Sequence, residues 1–226
     1  KVLPGLAREL KPRPLATRDC FSARVEATAA RYPQHTAIIF EGREISWSEL
    51  NACANQYVGA LRGIGLKRGQ SVSVMLENRI EYVALLIALN KLGVAAALIN
   101  TNLTGGPLVN CMGITDSVMC IFGEERLDAI ADVRDDPALA AVKRYVFVPD
   151  AGAQGCPGWA SDLAEEAADE DRRNPPDTSI NTLGETALYI FTSGTTGLPK
   201  GSVLSNRRYL MTAALSHKAG LRCDEK

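Results

Sequence analysis

The sequence predicts a layered α/β/α fold, in which helices flank a mostly parallel sheet. Helical and extended segments alternate along much of the 226 residues, which is typical of α/β proteins. Residues 71–99 form a strand, a helix and a second strand, and such a unit is nearly always parallel and right-handed. The helix of this unit ends at about Leu92 and is apolar almost all round, as expected of a helix buried on several sides.

The N-terminal elements are predicted from apolar spacing and turn residues. Pro33 ends a first helix. The apolar side chains that repeat at helical spacing in this helix are Phe21, Val25, Ala29 and Tyr32. Residues 36–40 and 44–47 are short extended runs on either side of Gly42. Because glycine suits a tight turn, we expect a β-hairpin here.

Two helices are predicted from their start signals. Ser46 and Glu49 fit a capping box that opens a helix with an apolar face, and this helix ends near Gly63. Asn78 is placed to cap the apolar helix that precedes the strand at 94–99.

A second strand–helix–strand unit is expected at 118–122, 125–134 and 144–148. The regular alternation of helical and extended segments stops after this unit. We expect a short helix near 159–168 and a solvated charged stretch around it. These patterns divide the chain into an N-terminal extension (1–18), a first α/β subdomain (19–148), an exposed connection (149–185) and the start of a second subdomain (186–226).

Composition excludes several functional classes. The formal net charge is -1, which gives no overall attraction to nucleic acid, so we expect no nucleic-acid partner. The local basic pair Arg207 and Arg208 is still able to bind phosphate. None of the six cysteines forms a C-x-x-C pair, and His35 and His217 lie far from them, so we expect no metal site.

The same patterns favour a cytoplasmic protein. Scattered cysteines in a chain of this length are typical of reduced, buried thiols. Residues 1–14 lack the apolar run of a signal peptide. The most apolar stretch, 82–99, is interrupted by Asn90, Lys91 and Gly93 and is too short to span a bilayer.

The stretch most informative about chemistry is residues 187–201. An apolar strand at 187–191 leads into Thr-Ser-Gly-Thr-Thr-Gly-Leu-Pro-Lys, residues 192–200. Glycines allow backbone amides to approach phosphate oxygens, hydroxyls add donors, and Lys200 adds a positive charge where a leaving pyrophosphate gathers negative charge. The alternative is a solvated linker, although linkers rarely follow a buried strand. Asn206 is placed to cap the next helix.

This stretch matches neither common nucleotide-binding motif. A Walker A loop requires Gly-x-x-x-x-Gly-Lys-Ser/Thr, whereas Gly194 and Gly197 are three residues apart and Pro199 precedes the lysine. The Gly-x-Gly-x-x-Gly pattern of dinucleotide-binding proteins is also absent.

Residues 192–200 closely resemble the signature loop of the adenylate-forming superfamily, which includes acyl-CoA synthetases, peptide-synthetase adenylation domains and luciferases. The resemblance implies that the loop binds the phosphates of ATP. Two upstream blocks, 73–79 and 91–103, resemble the fatty acid transport protein branch, the very-long-chain acyl-CoA synthetases. The ATP phosphate-binding residues that the resemblance implies are Thr192, Ser193, Gly194, Thr195, Thr196, Gly197 and Lys200.

The resemblance implies a ligase that uses ATP, Mg²⁺ and coenzyme A to activate long-chain or very-long-chain fatty acids as acyl-adenylates and then forms the thioester. Peripheral membrane association and a homodimer are further expectations. The chain departs from the branch at Asn206, where a histidine is common, and it stops at Lys226, before the family's later motifs. We therefore expect an N-terminal portion with no complete catalytic set, inactive alone. An adenylate-forming enzyme for an aryl or amino acid, and an incompetent binding module, remain as alternatives.

Overall fold

A seven-stranded sheet lies at the centre of the structure, a computed structural model that describes residue 11 and residues 13–152, 154–192 and 199–217. The helices in these ranges are α1 (Phe21–Arg31), α2 (Trp47–Gly63), α3 (Ile80–Leu92), α4 (Gly105–Gly113), α5 (Leu127–Val133), α6 (Leu163–Ala167) and α7 (Asn206–Leu215). The strands are β1 (Thr36–Phe40), β2 (Arg43–Ser46), β3 (Ser71–Met75), β4 (Ala95–Leu98), β5 (Met119–Gly123), β6 (Arg144–Val148), β7 (Ser161–Asp162), β8 (Thr186–Thr192) and β9 (Lys200–Ser205). Three short 3-10 helices cover Glu124–Arg126, Pro137–Leu139 and Pro176–Ile180.

The strand order of the central sheet is β7-β6-β5-β3-β4-β8-β9. Strands β3 to β8 pair in parallel with their neighbours, and β9 alone runs antiparallel, to β8. The mostly parallel sheet and both predicted strand–helix–strand units are therefore confirmed. The predicted hairpin is β1–β2, a separate two-stranded sheet whose turn places Glu41 and Gly42 at positive φ.

Period-two alternation of side chains produces the three layers. Val72 and Val74 of β3 contact the larger hydrophobic cluster, to which α1, α2 and α3 contribute. Met75 faces the opposite side of the sheet, where it joins a second cluster with Leu108 of α4 and Ile130 of α5. Successive side chains of a strand point to opposite faces, so both faces are covered by helices, as the predicted α/β/α layering requires.

Helix starts agree with the sequence prediction at one position and differ at two. The capping box is present, with the Glu49 amide donating to Ser46 Oγ at 3.3 Å and the Ser46 amide donating to Glu49 Oε2 at 2.9 Å. Asn78 is not the cap of α3, because that helix begins one residue later, after Arg79. Asn206 is not the cap of α7 either. Ser205 takes that role by accepting from the Arg208 amide, and Asn206 lies inside the helix.

The segment expected to be an exposed connection contributes to the core as well as to the surface. Leu163 and Ala167 of α6 pack into the larger cluster, and Asn181 and Leu183 are buried further along. The charged residues 171–173 are exposed, as expected. The boundary proposed at residue 186 stays a prediction, and β8 and β9 extend the same sheet as β3 to β7.

In the described ranges, no helix has both the length and the apolar character needed to cross a bilayer.

Candidate functional site

The β8–β9 hairpin holds both ends of the candidate phosphate-binding loop. Thr192 ends β8, Lys200 begins β9, and these two residues are paired in the antiparallel register. Both are exposed. The structure therefore brings these two predicted site residues together. The other five, Ser193, Gly194, Thr195, Thr196 and Gly197, lie outside the described residues.

The burial pattern of β8 changes toward its carboxyl end, where Thr192 lies. Ala187 and Leu188 are buried in the larger cluster, whereas Ile190 is 39% exposed and Thr192 is exposed. Because β8 is parallel to β4, its carboxyl end lies beside the carboxyl end of β4. Open α/β sheets bind ligands outside the carboxyl ends of their strands, so Thr192 and Lys200 are at the edge where a ligand is expected.

Lys200 presents a positive charge at this edge. Within the part of the chain that the structure describes, its ammonium group makes no ion pair. The preceding residue, Pro199, contacts the helix layer that contains α4, because Asn110 Nδ2 of α4 donates a hydrogen bond to the Pro199 carbonyl at 3.4 Å. The arrangement leaves the lysine charge free for an anion while anchoring the backbone next to it.

A cavity of about 450 Å³ lies at the same edge, between the carboxyl ends of β3 and β4. Burial and the nearby Tyr209 raise the pKa of Tyr82, so this phenol stays protonated near neutral pH. The cavity is lined by Leu76, Glu77, Asn78, Tyr82, Ile99, Asn100 and Thr101. All of them except Tyr82 lie in the two sequence blocks, 73–79 and 91–103, that resemble the fatty acid transport protein branch. The parallel pairing of β3 and β4 brings these two blocks together at one cavity.

The crevice between β3 and β5 is filled by the chain itself. The chain leaves β3 toward β4 on one side and later returns to β5 on the other, which makes this position the topological switch point. The side chain of Arg79 is only 6% exposed there and donates to Glu125 at 2.8 Å, to Asp150 at 3.2 Å and to the Val148 carbonyl at 2.9 Å. An ion-paired arginine therefore occupies the place where many α/β proteins bind a ligand.

In the described ranges, no three or more histidine, cysteine, aspartate or glutamate side chains are grouped so that they could hold a metal ion.

The basic pair predicted to bind phosphate does not form one patch. Arg207 lines a groove between α1 and α7. Arg208 instead donates to the Val203 carbonyl at 2.9 Å. Two adjacent residues in a helix point about 100° apart, which explains why they separate.

Asn206 has a structural rather than a ligand-facing position. It is 1% exposed, accepts from Asn90 Nδ2 at 2.8 Å and donates to the Thr182 carbonyl at 2.9 Å. The side chain at this position therefore points into the protein and away from the edge that carries Lys200.

Sequence reasoning missed a buried polar network that supports this half of the sheet. Lys91 is 0% exposed and donates to Glu26 at 2.7 Å, to Asn51 at 2.8 Å and to Asn55 at 2.7 Å. Desolvation lowers the pKa of Lys91, and the adjacent Glu26 carboxylate opposes that shift. A lysine next to an asparagine inside an otherwise apolar helix was the available signal.

Comparison with known proteins identifies the family. The model of the family described as AMP-binding enzyme matches residues 25–225. Long-chain fatty acid transport protein 1 of Bos taurus is 32% identical over 197 residues, which are 85% of this chain and 30% of that protein. Medium/long-chain-fatty-acid–CoA ligase FadD6 of Mycobacterium tuberculosis is 30% identical over 194 residues, with 86% of this chain and 30% of that protein covered.

Among solved structures, the anthranilate CoA ligase AuaEII in complex with anthranoyl-AMP superposes with a TM-score of 0.79 at 24% identity. The match covers 90% of this chain and 37% of that one, and it shows a shared fold. The chain spans about 30% of the length of the curated relatives named above.

Proposed function

Because the chain belongs to the family of AMP-binding enzymes, we propose that it provides the ATP phosphate-binding loop of a long-chain or very-long-chain fatty acid–CoA ligase. The observation that carries the proposal is the motif at 192–200, whose two ends are paired at the carboxyl edge of a mostly parallel sheet.

The proposed reaction has two steps. A fatty carboxylate attacks the α-phosphorus of Mg-ATP and releases pyrophosphate, and the thiol of coenzyme A then attacks the acyl carbonyl. The first step gathers negative charge on the leaving pyrophosphate, so it gains most from fixed positive charge and hydrogen-bond donors. We assign the charge to Lys200 and one hydroxyl donor to Thr192, both of which are exposed at the sheet edge.

The fatty-acid substrate class is supported by the curated relatives. They are a fatty acid transport protein and a medium/long-chain fatty acid ligase, at 30% identity or above over most of this chain. The similarity to an anthranilate ligase concerns the fold and does not favour an aryl acid. Since the chain spans about 30% of the length of these relatives, we propose the complete reaction for a protein that joins this chain to the remaining length.

Acid-dependent ATP–pyrophosphate exchange tests the function. The protein to use contains this chain together with the remaining length of its relatives, and the acids are short, long and very long fatty acids plus an aryl acid. Exchange stimulated by the long acids supports the proposal, and exchange with the aryl acid alone moves the protein to another substrate class. A folded protein that shows no exchange with any of these acids would refute the ligase proposal.

The Lys200→Ala substitution tests the site. We expect adenylation to slow by about 100-fold, which is typical of losing one well-placed stabilising group in such a site. The melting temperature should not change, since Lys200 is exposed and makes no ion pair within the described ranges. Lys67→Ala is the matched control, because Lys67 is also exposed but precedes β3 at the opposite edge of the sheet. Adenylation at the wild-type rate in Lys200→Ala would contradict the assignment.

A further inference from the structure

The C-terminal end of the motif at 192–200 consists of Pro199 and Lys200, where β9 begins. Within the described ranges β9 has one neighbour in the sheet, β8, so backbone pairing holds this strand on one side. The pairing of Thr192 with Lys200 fixes the register of the two strands. The outer side of β9 is not held by another described strand, so contacts from outside the sheet matter for the position of Lys200.

Helix α4 makes such a contact through a side-chain amide. Asn110 Nδ2 donates to the Pro199 carbonyl at 3.4 Å. Proline has no N–H, so this carbonyl is the backbone group through which Pro199 can form a hydrogen bond. The carbonyl lies in the same rigid peptide plane as the amide of Lys200. The hydrogen bond therefore restrains the peptide group from which the Lys200 side chain extends.

The same face of α4 makes a second contact on the other side of Lys200. The amide of Ile114 donates to the Asn110 carbonyl at 3.0 Å, and residues four apart in a helix share one face. A Cβ on Gly201 would lie 3.9 Å from Ile114 Cδ1 and 3.6 Å from Phe191 Cε1, so these two side chains lie close to Gly201. Another face of α4 is buried in the second cluster through Leu108, Cys111 and Met112. A firmly packed helix thus contacts the residues on both sides of the lysine.

We propose that Asn110 is a positioning residue for adenylation, an inference that rests on the proposed function. By holding the peptide group between Pro199 and Lys200, it directs the lysine ammonium toward the leaving pyrophosphate. A charge that is already oriented stabilises a transition state more than one that must reorient during the reaction. Asn110 is partly exposed, so water can replace its hydrogen bond and its removal should change folding stability little.

ATP–pyrophosphate exchange tests the inference, in a protein that joins this chain to the remaining length of its relatives. Asn110→Ala should lower the kcat of adenylation by about tenfold, less than the loss expected for Lys200→Ala, because the charge remains and its position relaxes. Asn110→Gln keeps an amide donor and should retain more of the rate. Val109→Ala is the matched control, since Val109 packs against the second cluster and points about 100° away from its neighbour Asn110. It should lower the melting temperature without changing kcat.

The double variant Asn110→Ala/Lys200→Ala separates positioning from a general effect on the helix. If Asn110 acts through the lysine, the double variant should adenylate no more slowly than Lys200→Ala, whereas independent losses would multiply. Multiplied losses, a wild-type kcat in Asn110→Ala, or equal slowing in Val109→Ala would each overturn this inference. The ligase proposal would stand in these cases as long as Lys200→Ala is slow. A wild-type rate in Lys200→Ala would instead refute the assignment of the lysine, and this inference with it.

Discussion

Replacing Lys91 by methionine should lower the free energy of unfolding by about 3 kcal/mol, the lower end of the cost of breaking a buried ion pair. The Lys91 ammonium is fully buried and donates to Glu26 and two asparagine side chains. Without it, the Glu26 carboxylate keeps one described donor, the Thr178 hydroxyl at 2.8 Å. The lower end applies because the Glu26 side chain is 19% exposed, so water can stabilise part of its charge.

Urea unfolding followed by far-UV circular dichroism measures this change, with the free energy taken by linear extrapolation. The double variant Lys91→Met/Glu26→Gln is the informative control, because it leaves no unpaired charge and should recover part of the lost stability. Lys67→Met, at an exposed lysine, should leave stability nearly unchanged. If Lys91→Met unfolds at the wild-type urea concentration, or if the double variant is less stable than Lys91→Met, the reasoning about the buried charge is refuted.

Two further predictions follow from hydrogen bonds in the same half of the molecule. Asn206→Ala should lower the free energy of unfolding by about 2 kcal/mol, because it leaves buried groups of Asn90 and Thr182 without their partner, and urea unfolding measures it. Burial alone would raise the pKa of Asp19, but the hydrogen bonds from Arg13 and Arg24 outweigh it, so the pKa is lowered. The stabilisation is therefore present at neutral pH and should be lost as the pH falls below about 4. Thermal melting across that range checks this, and an Asp19→Asn variant should lack this part of the pH dependence.

The sequence predicts most of the sheet because strands β3 to β6 are apolar runs separated by helices of strong periodicity. It fails for α4, whose first residues are Gly105, Gly106 and Pro107, which are poor helix formers. That helix forms because Leu108, Cys111 and Met112 are fully buried against the second face of the sheet. Tertiary burial outweighs local propensity there, and a single sequence does not show what a segment will pack against.

The two wrong helix caps have the same origin. Asn78 and Asn206 are both good capping residues by type, so sequence reasoning places them at helix starts. The helix after Asn78 begins one residue later, at Ile80, where the preceding Arg79 is held by carboxylates of other segments. The Asn206 side chain points inward because it accepts a hydrogen bond from Asn90, which lies 116 residues away in sequence. Contacts between residues that are distant in sequence therefore determine where these two helices begin, and a local sequence pattern does not contain that information.

The position of the candidate site also determines which of its residues must supply charge. At a switch point, phosphate commonly binds at a helix N-terminus, where the helix dipole adds positive potential. Here Arg79 and its carboxylate partners fill the switch point, and Thr192 and Lys200, the two ends of the proposed phosphate-binding motif, lie at the carboxyl end of β8 instead.

Because β9 runs back along β8, the N-terminus of α7 at Asn206 lies at the opposite edge of the sheet from Thr192 and Lys200, beyond the short range over which its dipole acts. If the motif binds phosphate as proposed, positive charge at this end of β8 must then come from side chains, and within the described residues of the motif Lys200 is the cation available. For this reason an amide in place of the lysine, as in Lys200→Gln, should fail to restore adenylation, whereas Lys200→Arg, which keeps the charge, should restore part of it.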